Sequence, residues 1–544
     1  MSQAVISFLN GRLTGGRGIR PLVMNKTAGA GAGTNFWSCT ENSQNNAWNV
    51  NFGSGNTNNN NKYNDLYVRP LAALEENYII EWIEAFDDCC RHKKSTYQCT
   101  LYRIRAVDLI TLAWEVQYGF YKPGTSITFI VIYPKLREIF AAAFRDRIVQ
   151  HWCTLRSEPL LEARFQSQNN VSYNCRKGFG TLAAVSRLRG IVECVSENYT
   201  KVAYIGRYDI HSFFMSIDVR ILWTLLEPFI RENYHGADVE MLIYLLKTTV
   251  FHRPQENCRK QGNKDLWNYI AHSKSLFWAE PFIGMPIGNI TSQLLANFYM
   301  SFLDEFMLEL CRLYGVEYIR FVDDFALVSQ NKEAIKYISK QAGRFLMEKL
   351  HLILHPDKVY MQDCRHGVLF VGTYIKPGRM YLSNRTWGKF DESLAKLESL
   401  CSVILKRELS EELLILLEKA ISGINSYLGF ACHNNSYSVL YRYFTNLSSF
   451  WKVCYVTGHF HTVKIYKKYQ LSNYLYDTYL RQRAATPQGG RPHRKSGNSH
   501  NPDKLRYQGG KRQRAGQVLL PSSGDVPFPD EPLGHHLRSH QIQV

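Results

Sequence analysis

The sequence lacks the features that would direct a protein to a membrane or out of the cell. No apolar run approaches the roughly 18 residues that a spanning helix needs, and no signal peptide follows Met1. The 13 cysteines include no C-x-x-C pair of the kind that zinc sites and redox motifs use. Because their number is odd and no export signal is present, we expect reduced, mostly structural cysteines in a cytoplasmic protein.

Acidic residues are too few to balance the basic ones. The 544 residues hold 65 Lys and Arg against 47 Asp and Glu, a formal net charge of +18. An excess of this size favours a partner made of phosphate, because bound Lys and Arg release condensed counterions from nucleic acid. A membrane surface is the competing interpretation, and it would need an apolar or amphipathic anchor.

The composition changes twice along the chain. Residues 1–74 are rich in Gly and Asn, with 12 Asn between Asn35 and Asn64. Residues 75–480 carry nearly all the apolar periodicity. Residues 481–544 hold 11 Lys and Arg against 4 Asp and Glu and few apolar residues. This basic tail is predicted to be disordered, because it has little apolar area to offset the entropy of ordering.

The central region alternates between helical and strand patterns, which predicts an α+β fold. Residues 391–480 are predicted to be mainly helical. The expected helices are Glu76–Arg91, Leu136–Trp152, Leu182–Val195 and Gly288–Leu310, and the expected strands are Ile127–Tyr133, Val202–Tyr208 and a hairpin in Tyr318–Val328.

Three acidic residues stand at the ends of apolar strands. Asp209 follows Val202–Tyr208, and Asp323 and Asp324 lie between two short apolar runs. Such a pair is costly to place unless a cation or a tight turn satisfies it, so a polar hairpin turn is the simple alternative. Nucleotidyl transfer requires two Mg²⁺ ions about 3.5–4 Å apart, which a few carboxylates on rigid elements can hold.

Several ordered motifs resemble those of reverse transcriptases. Tyr318–Phe325 (YIRFVDDF) is similar to the Asp-Asp box of that family, and its companions follow in the expected order over about residues 75–480. They are Pro134–Arg147 and Asn174–Thr181 in the fingers, Tyr208–Asp218 as motif A, Gly284–Asn297 as motif B, Leu350–Lys358 as motif D and Leu369–Gly372 as motif E.

The resemblance implies a right-hand polymerase fold with fingers, palm and thumb, a mixed N-terminal leader and a disordered basic tail. The implied domains are a leader at 1–74, an N-terminal extension with fingers at 75–200, a palm at 201–379, a helical thumb at 380–480 and the tail at 481–544. Within the thumb, Ile424–Ser438 looks like the segment that follows motif E.

The same resemblance assigns the chemistry to named residues. Asp209, Asp323 and Asp324 become the catalytic acids, with Asp209 and Asp323 as direct ligands of two Mg²⁺ ions and Ile210 and Asp324 as further metal positions. Lys358 matches the lysine thought to give a proton to the leaving pyrophosphate; an ordinary solvent-facing lysine is its alternative.

Selection of the incoming nucleotide is assigned in the same way. Phe214 falls where the family has an aromatic gate against a ribose 2′-hydroxyl, although Phe213 beside it is the other candidate. Lys135, Arg137 and Arg176 are candidates to bind the triphosphate, or else the template backbone. Gly372 would let the backbone approach the primer end.

Motif B indicates which kind of reverse transcriptase this is. Most relatives read Pro-Gln-Gly, whereas this chain has Ile287 before Gly288 and continues to Gln293. That form resembles the enzymes of diversity-generating retroelements, which copy a template RNA with frequent errors at adenine. The side chain of Ile287 can make only apolar contacts, whereas the usual Gln can form a hydrogen bond near the nucleotide. Loss of that hydrogen bond reduces discrimination between substrates of similar shape. Retron, group II intron-like and phage-defence enzymes are alternatives, as is an inactive nucleic-acid-binding scaffold.

The two ends of the chain suggest further hypotheses. Asn35–Pro70 resembles the ligand-binding end of the lectin-like proteins that such elements diversify, so the leader is interpreted as translated from the template repeat; an ordinary Asn-rich leader is the alternative. Expected partners are template RNA, primer and cDNA, dNTPs and a small basic accessory protein, without a membrane. The tail, with Lys511, Arg512 and Arg514, is predicted to contact nucleic acid, or else a protein partner.

Overall fold

The computed structural model describes residues 35–41, 46–51, 57–61, 74–91, 96–132 and 135–485. Within them helices and strands mix, as the α+β prediction requires. The main helices are Glu76–Cys90, Tyr97–Ile104, Ala106–Gln117, Phe144–Ser167, Thr181–Val195, Val219–Asn233, Val239–Val250, Ile290–Tyr314, Lys332–Lys349, Asn384–Lys406, Glu411–Ala431, Tyr437–Thr445 and Leu471–Ala485, with short helical segments at Phe213–Ser216 and Phe450–Val453. Short 3₁₀ segments lie at Pro254–Glu256, Lys264–Tyr269, His272–Lys274, Leu276–Trp278, Pro356–Lys358, Cys364–His366 and Lys467–Tyr469.

The described strands form five small sheets. A four-stranded antiparallel sheet, called here the central sheet, has the order Tyr360–Asp363, Tyr204–Tyr208, Asp324–Ser329, Glu317–Phe321. The other sheets comprise Arg137–Ala141 with Ser126–Val131 and Cys258–Lys260, Val368–Phe370 with Thr373–Lys376 and Arg379–Leu382, Cys454–Thr457 with Thr462–Ile465, and Asn35–Glu41 with Asn46–Asn51 and Thr57–Asn61.

The central sheet is buried on both faces because its strands alternate apolar side chains between two cores. Phe325 and Leu327 pack into the larger core, which also receives helices Ile290–Tyr314 and Lys332–Lys349. Ala326 and Val328 point to the opposite face, where helix Thr181–Val195 covers them. A strand places successive side chains on opposite faces, so this burial fixes the register of the strand that begins at Asp324.

The prediction of a helix over Leu136–Trp152 is wrong in its first part. Residues Arg137–Ala141 form a strand, and the helix begins only at Phe144 and runs to Ser167. Arg137–Ala141 pairs antiparallel with Ser126–Val131 and buries Glu138 and Phe140 in alternation. Cross-strand pairing and burial outweigh the local preference of this segment. The other predicted helices and strands are confirmed, with ends shifted by up to about four residues.

The helical region after residue 380 has its own apolar core, built mainly on helices Asn384–Lys406 and Glu411–Ala431. Helix Glu411–Ala431 corrects one expectation, since by length and composition alone it is apolar enough to cross a membrane. Its buried residues recur at helical spacing and face this core, as expected for a helix with one packed side. They are Leu414, Leu417, Ile421, Ile424, Leu428 and Ala431.

The two ends of the chain are described only in part. Three short antiparallel strands form within the predicted leader, with Asn46–Asn51 as the middle strand. The boundary of the predicted disordered tail at residue 481 is wrong, because residues 481–485 continue helix Leu471–Ala485. The remainder of the leader and the tail beyond Ala485 lie outside the described residues.

Candidate active site

Three carboxylates meet at one end of the central sheet. Strand Tyr204–Tyr208 runs directly into Asp209, and its last residue pairs with Phe325 of the next strand. Asp323 and Asp324 occupy the turn that joins Glu317–Phe321 to Asp324–Ser329. The turn is tight, since Val322 adopts a left-handed backbone conformation with φ +58°. Residues more than 100 positions apart in the chain are thereby brought together.

The carboxylates of Asp209, Asp323 and Asp324 are close enough to repel one another when ionised. Burial, followed by the neighbouring Asp209 carboxylate, raises the pKa of Asp323 to about 6. Burial and the adjacent Asp323 raise the pKa of Asp324 to about 7. Like charges held close in a partly buried site favour either protonation or a bound cation.

Two cations reach these acids from the protein itself. The Lys358 ammonium forms an ion pair with Asp209 Oδ2, and the turn Pro356–Lys358 that carries it is fixed because the His355 amide donates to the Asp209 carbonyl at 2.8 Å. Arg207 Nη2 lies 3.9 Å from Asp324 Oδ1. Arg207 also donates to the Leu369 carbonyl, so it links the acids to the hairpin that begins at Val368. Arg207 was not among the residues that the sequence suggested.

A buried ion pair supports the turn from behind. Arg320 Nε and Nη2 donate to Asp304 Oδ1 and Oδ2 at 2.7 and 2.5 Å, and both side chains are fully buried. Arg320 Nη1 also donates to the Val322 carbonyl at 2.9 Å. The sequence held a signal for this pair, since each charged residue interrupts an apolar segment, and buried charges are usually paired.

The donor set fits magnesium. Three carboxylates supply hard oxygen ligands, and a divalent cation between them relieves the repulsion that raises the pKa values of Asp323 and Asp324. Within the described residues no group of three acidic, His or Cys side chains is already spaced as a metal site. Asp209 is instead paired with Lys358. The side chain of Ile210 is buried, so only its main chain is available to a metal.

Phe214, Ile287 and Gly288 lie at one small apolar cluster, made of Phe140, Met215 and Leu276. Phe214 and Ile287 both pack against it, and the Phe214 carbonyl accepts from the Met285 amide at 2.7 Å. Gly288 has φ +123°, and a Cβ there would lie 2.7 Å from the Phe140 carbonyl oxygen, so the position requires glycine. Gln293 is exposed on helix Ile290–Tyr314.

The three candidate phosphate-binding cations occupy different environments. Arg137 is exposed, and its charge lowers the pKa of Asp323 from the value that burial and Asp209 would give it. Lys135 is also exposed. Arg176 is not available to a triphosphate in this structure: its side chain is almost fully buried, it pairs with Glu162 at 2.5 Å and donates to the Ser172 carbonyl at 2.7 Å. Arg176 instead holds the loop that contains Ser172 against helix Phe144–Ser167.

An open cleft of about 510 Å³ extends from the acids toward the hairpin that begins at Val368. Its walls combine the candidate catalytic residues with aromatic and apolar side chains that the sequence did not single out. They are Arg207, Tyr208, Asp209, Asp324, Asp357, Lys358, Val359, Tyr360, Leu369 and Tyr374. Gly372, in the turn of the hairpin, has φ +87°, a backbone conformation that favours glycine.

Comparison with known proteins agrees with this geometry. Residues 133–375 match the model of the reverse transcriptase (RNA-dependent DNA polymerase) family. This segment contains Asp209, Asp323, Asp324 and Lys358. Residues 133–375 therefore form a reverse transcriptase domain, whose class of enzyme is the RNA-directed DNA polymerase, a nucleotidyltransferase.

Individual relatives are distant. Protein YkfC of Escherichia coli (strain K12) is 24% identical over 346 residues, which cover 57% of this chain and 83% of that protein. A structure of apo telomerase from Candida Tropicalis truncated from its C-terminal domain is 12% identical, covers 50% of this chain and 59% of its own, and has a TM-score of 0.35. Telomerase from Candida albicans in complex with a TWJ fragment of telomeric RNA is 10% identical, with 60% and 55% coverage and a TM-score of 0.35. This chain thus spans less than two thirds of either telomerase chain.

Proposed function

We propose that this protein is the reverse transcriptase of a diversity-generating retroelement, which copies a template RNA into cDNA with frequent errors at adenine. The proposal includes a right-hand polymerase layout, with fingers in residues 75–200, a palm in 201–379 and a helical thumb in 380–480. The meeting of Asp209, Asp323 and Asp324 at one end of the central sheet carries the polymerase part of the proposal.

The retroelement part rests on Ile287. Its side chain packs against the same cluster of Phe140, Met215 and Leu276 as the proposed sugar gate, Phe214. Its carbonyl accepts from the Phe140 amide at 2.8 Å, which fixes the main chain of motif B against strand Arg137–Ala141. An aliphatic group at this position offers no hydrogen bond to the nucleotide, so shape alone would discriminate between bases there.

Each residue of the site has a proposed role. When bound by Asp209, Asp323 and Asp324, two Mg²⁺ ions would supply charge stabilisation between the attacking hydroxyl and the leaving pyrophosphate. Lys358 holds a proton beside Asp209 and delivers it to the leaving group. Arg137 and Lys135 bind the triphosphate oxygens, and Phe214 excludes a ribose 2′-hydroxyl by contact with its ring.

Partners and surroundings follow from the same proposal. Template RNA, primer and dNTPs are the substrates, and a small basic accessory protein assists in the cytoplasm. The leader derives from the template repeat, so a neighbouring gene should encode a near-copy of residues 35–70 with many Asn codons changed. If the surrounding DNA holds no such copy, the leader hypothesis is wrong. Retron and phage-defence enzymes are the rival assignments, and product sequencing separates them from this one.

Primer extension on an RNA template with Mg²⁺ and dNTPs tests the proposal. Asp323→Ala combined with Asp324→Ala should abolish extension, because the site loses two of its three carboxylates. Asp391→Ala combined with Glu392→Ala is the matched control, since it removes two adjacent acids that are exposed on helix Asn384–Lys406. Extension that survives the first double substitution would remove the mechanism.

The error spectrum tests the retroelement assignment. Wild-type products should contain substitutions concentrated opposite template adenine, and Ile287→Gln should reduce them by restoring a polar group beside the nucleotide. Ile287→Val retains an apolar contact and serves as the control. Unchanged adenine errors in Ile287→Gln would count against a role for Ile287, and an even error spectrum in the wild type would favour the rival reverse transcriptases.

A further inference from the structure

Residues 258–282, called here the 258–282 loop, connect the Pro254–Glu256 turn to motif B. One buried carboxylate, that of Glu138, holds this loop in place. Glu138 is 1% exposed and accepts hydrogen bonds from Trp267 Nε1 at 2.9 Å, Ser275 Oγ at 3.1 Å and the Leu276 amide at 2.8 Å. Strand Cys258–Lys260 pairs with Ser126–Val131. Because its inner side is fixed at several points, the outer surface of the loop is preorganised.

That outer surface carries large aromatic side chains. Tyr269 is 73% exposed and Trp278 is 64% exposed. The Trp278 ring stacks on His272, with ring centroids 4.0 Å apart and planes within 15°. Singly exposed apolar residues are ordinary, but aromatic rings grouped on a rigid loop indicate a surface that another molecule covers.

The charges of the same loop indicate what that molecule is. Four cations, Arg259, Lys260, Lys264 and Lys274, outnumber the acids Asp265 and Glu280. All four are exposed, and the ion pairs found among the described residues do not include any of them. Lys260 already lies over the Phe277 and Trp267 rings, 4.2 and 5.0 Å from their centroids. The other three exposed cations, on a loop with exposed aromatic rings, suit single-stranded nucleic acid, in which phosphates and unstacked bases alternate along the strand.

The position of the anchor connects this surface to the active site. Glu138 follows Arg137 on one strand, and the charge of Arg137 acts on Asp323. Leu276 of the loop belongs to the cluster against which Phe214 packs. We propose that the 258–282 loop is a stacking platform for the unpaired template RNA, with Trp278 stacking on a base and Lys264 and Lys274 contacting phosphates. This inference rests on the proposed function, because it takes RNA as the template.

Binding of a fluorescein-labelled single-stranded RNA 20-mer to the full chain, without dNTPs, tests the platform directly. Trp278→Ala should weaken binding about tenfold, a typical loss for one base–aromatic stack, and Trp278→Phe should recover most of it. Lys264→Gln with Lys274→Gln should lower the slope of log affinity against log salt by about 1 to 1.5, as expected for two lost phosphate contacts to a single strand. The matched control is Tyr314→Ala, which removes a 44% exposed aromatic residue on helix Ile290–Tyr314.

Extension assays separate this inference from the proposed function. Trp278→Ala should impair copying of templates with long 5′ overhangs and leave addition opposite a single overhanging nucleotide near the wild-type rate. If neither the wild type nor any variant polymerises but RNA binding depends on Trp278, the proposed function fails and the platform stands as a site for single-stranded RNA. Three outcomes would overturn the platform. Trp278→Ala could bind RNA as tightly as the wild type, or Tyr314→Ala could lose as much affinity as Trp278→Ala. Alternatively, Trp278 could be required for binding to anionic phosphatidylserine vesicles while RNA binding does not change.

Discussion

Arg320 and Asp304 form a fully buried, two-pronged ion pair directly behind the turn that carries Asp323 and Asp324. Arg320 also donates to the carbonyl of Val322, the residue immediately before Asp323. Helix Ile290–Tyr314, which contributes Asp304, is thereby linked to the catalytic turn. The arrangement holds a left-handed residue, Val322, in a conformation that β-branched side chains rarely adopt.

Removing one partner of this pair should be strongly destabilising. Arg320→Leu leaves the Asp304 carboxylate buried without its cation, and we expect a loss of about 3–5 kcal/mol in the free energy of unfolding, measured by urea denaturation. Arg187→Leu is the control, because Arg187 lies 4.0 Å from Glu317 in an exposed pair and should cost no more than about 1 kcal/mol.

The paired substitution separates stability from positioning. Arg320→Met with Asp304→Leu should recover part of the lost stability, since well-packed apolar side chains often replace a buried ion pair without cost. The remaining loss comes from the buried Tyr318 hydroxyl, which no longer has Asp304 as its acceptor. Primer extension should stay impaired, because the Val322 carbonyl has lost its donor. Full extension activity in this double variant would show that the pair has no part in holding the turn.

Lys358 should act on the rate of chemistry more than on nucleotide binding. Lys358→Met removes the ammonium that pairs with Asp209. Because a positioned proton donor accelerates a reaction about 10²–10⁴-fold, kcat for single-nucleotide addition should fall by a factor in that range, while KM should change little. Lys358→Arg should be intermediate, because it keeps the charge but gives up a proton less readily. Lys336→Met, which changes an exposed lysine paired with Glu333, is the control. A drop confined to KM would assign Lys358 to binding alone.

The sequence predicts correctly those structural features that depend on residues close together in the chain. The strands that end at Asp209 and at Asp323–Asp324 are apolar and short, so their existence was predictable from local pattern. That their acids meet was implied only by the resemblance of motifs A and C to those of reverse transcriptases. The strand Arg137–Ala141 was not, since its identity depends on pairing with Ser126–Val131, a long-range contact that outweighs local pattern. Arg176 was misplaced for a similar reason: only the fold shows that Glu162 neutralises it.

Phe213 and Phe214 are neighbours in sequence that should respond differently to truncation. Phe214 is half-buried beside Ile287, so Phe214→Ala should raise incorporation of ribonucleotides relative to deoxynucleotides by at least tenfold with modest loss of stability. Phe213 is 3% exposed in the large core, so Phe213→Ala should cost about 3–5 kcal/mol of unfolding free energy without a selective gain for ribonucleotides. Competitive extension with matched rNTP and dNTP reports the ratio. If Phe213→Ala, and not Phe214→Ala, raises the ratio of ribonucleotide to deoxynucleotide incorporation, Phe213 is the gate.

Glu398 gives the helical region after residue 380 a pH-dependent contribution to stability. Burial alone would raise the pKa of Glu398, but the amides of Ser449, Phe450 and Ser448 donate to its carboxylate and hold that pKa below its ordinary value. A lowered pKa means that the folded state favours the ionised form. The stabilisation is therefore complete above the unfolded pKa of about 4.3, declines below it, and is lost as pH falls through the lower pKa of the folded state. Glu398→Gln should therefore cost about 1 kcal/mol at pH 7, where solvent screens this partly exposed carboxylate, and less at pH 3, measured as the difference in urea midpoint from wild type. Glu392→Gln, on the exposed side of the same helix, is the control and should leave the urea midpoint unchanged at either pH. If the cost of Glu398→Gln is the same at pH 3 as at pH 7, the amides do not stabilise the charge of Glu398.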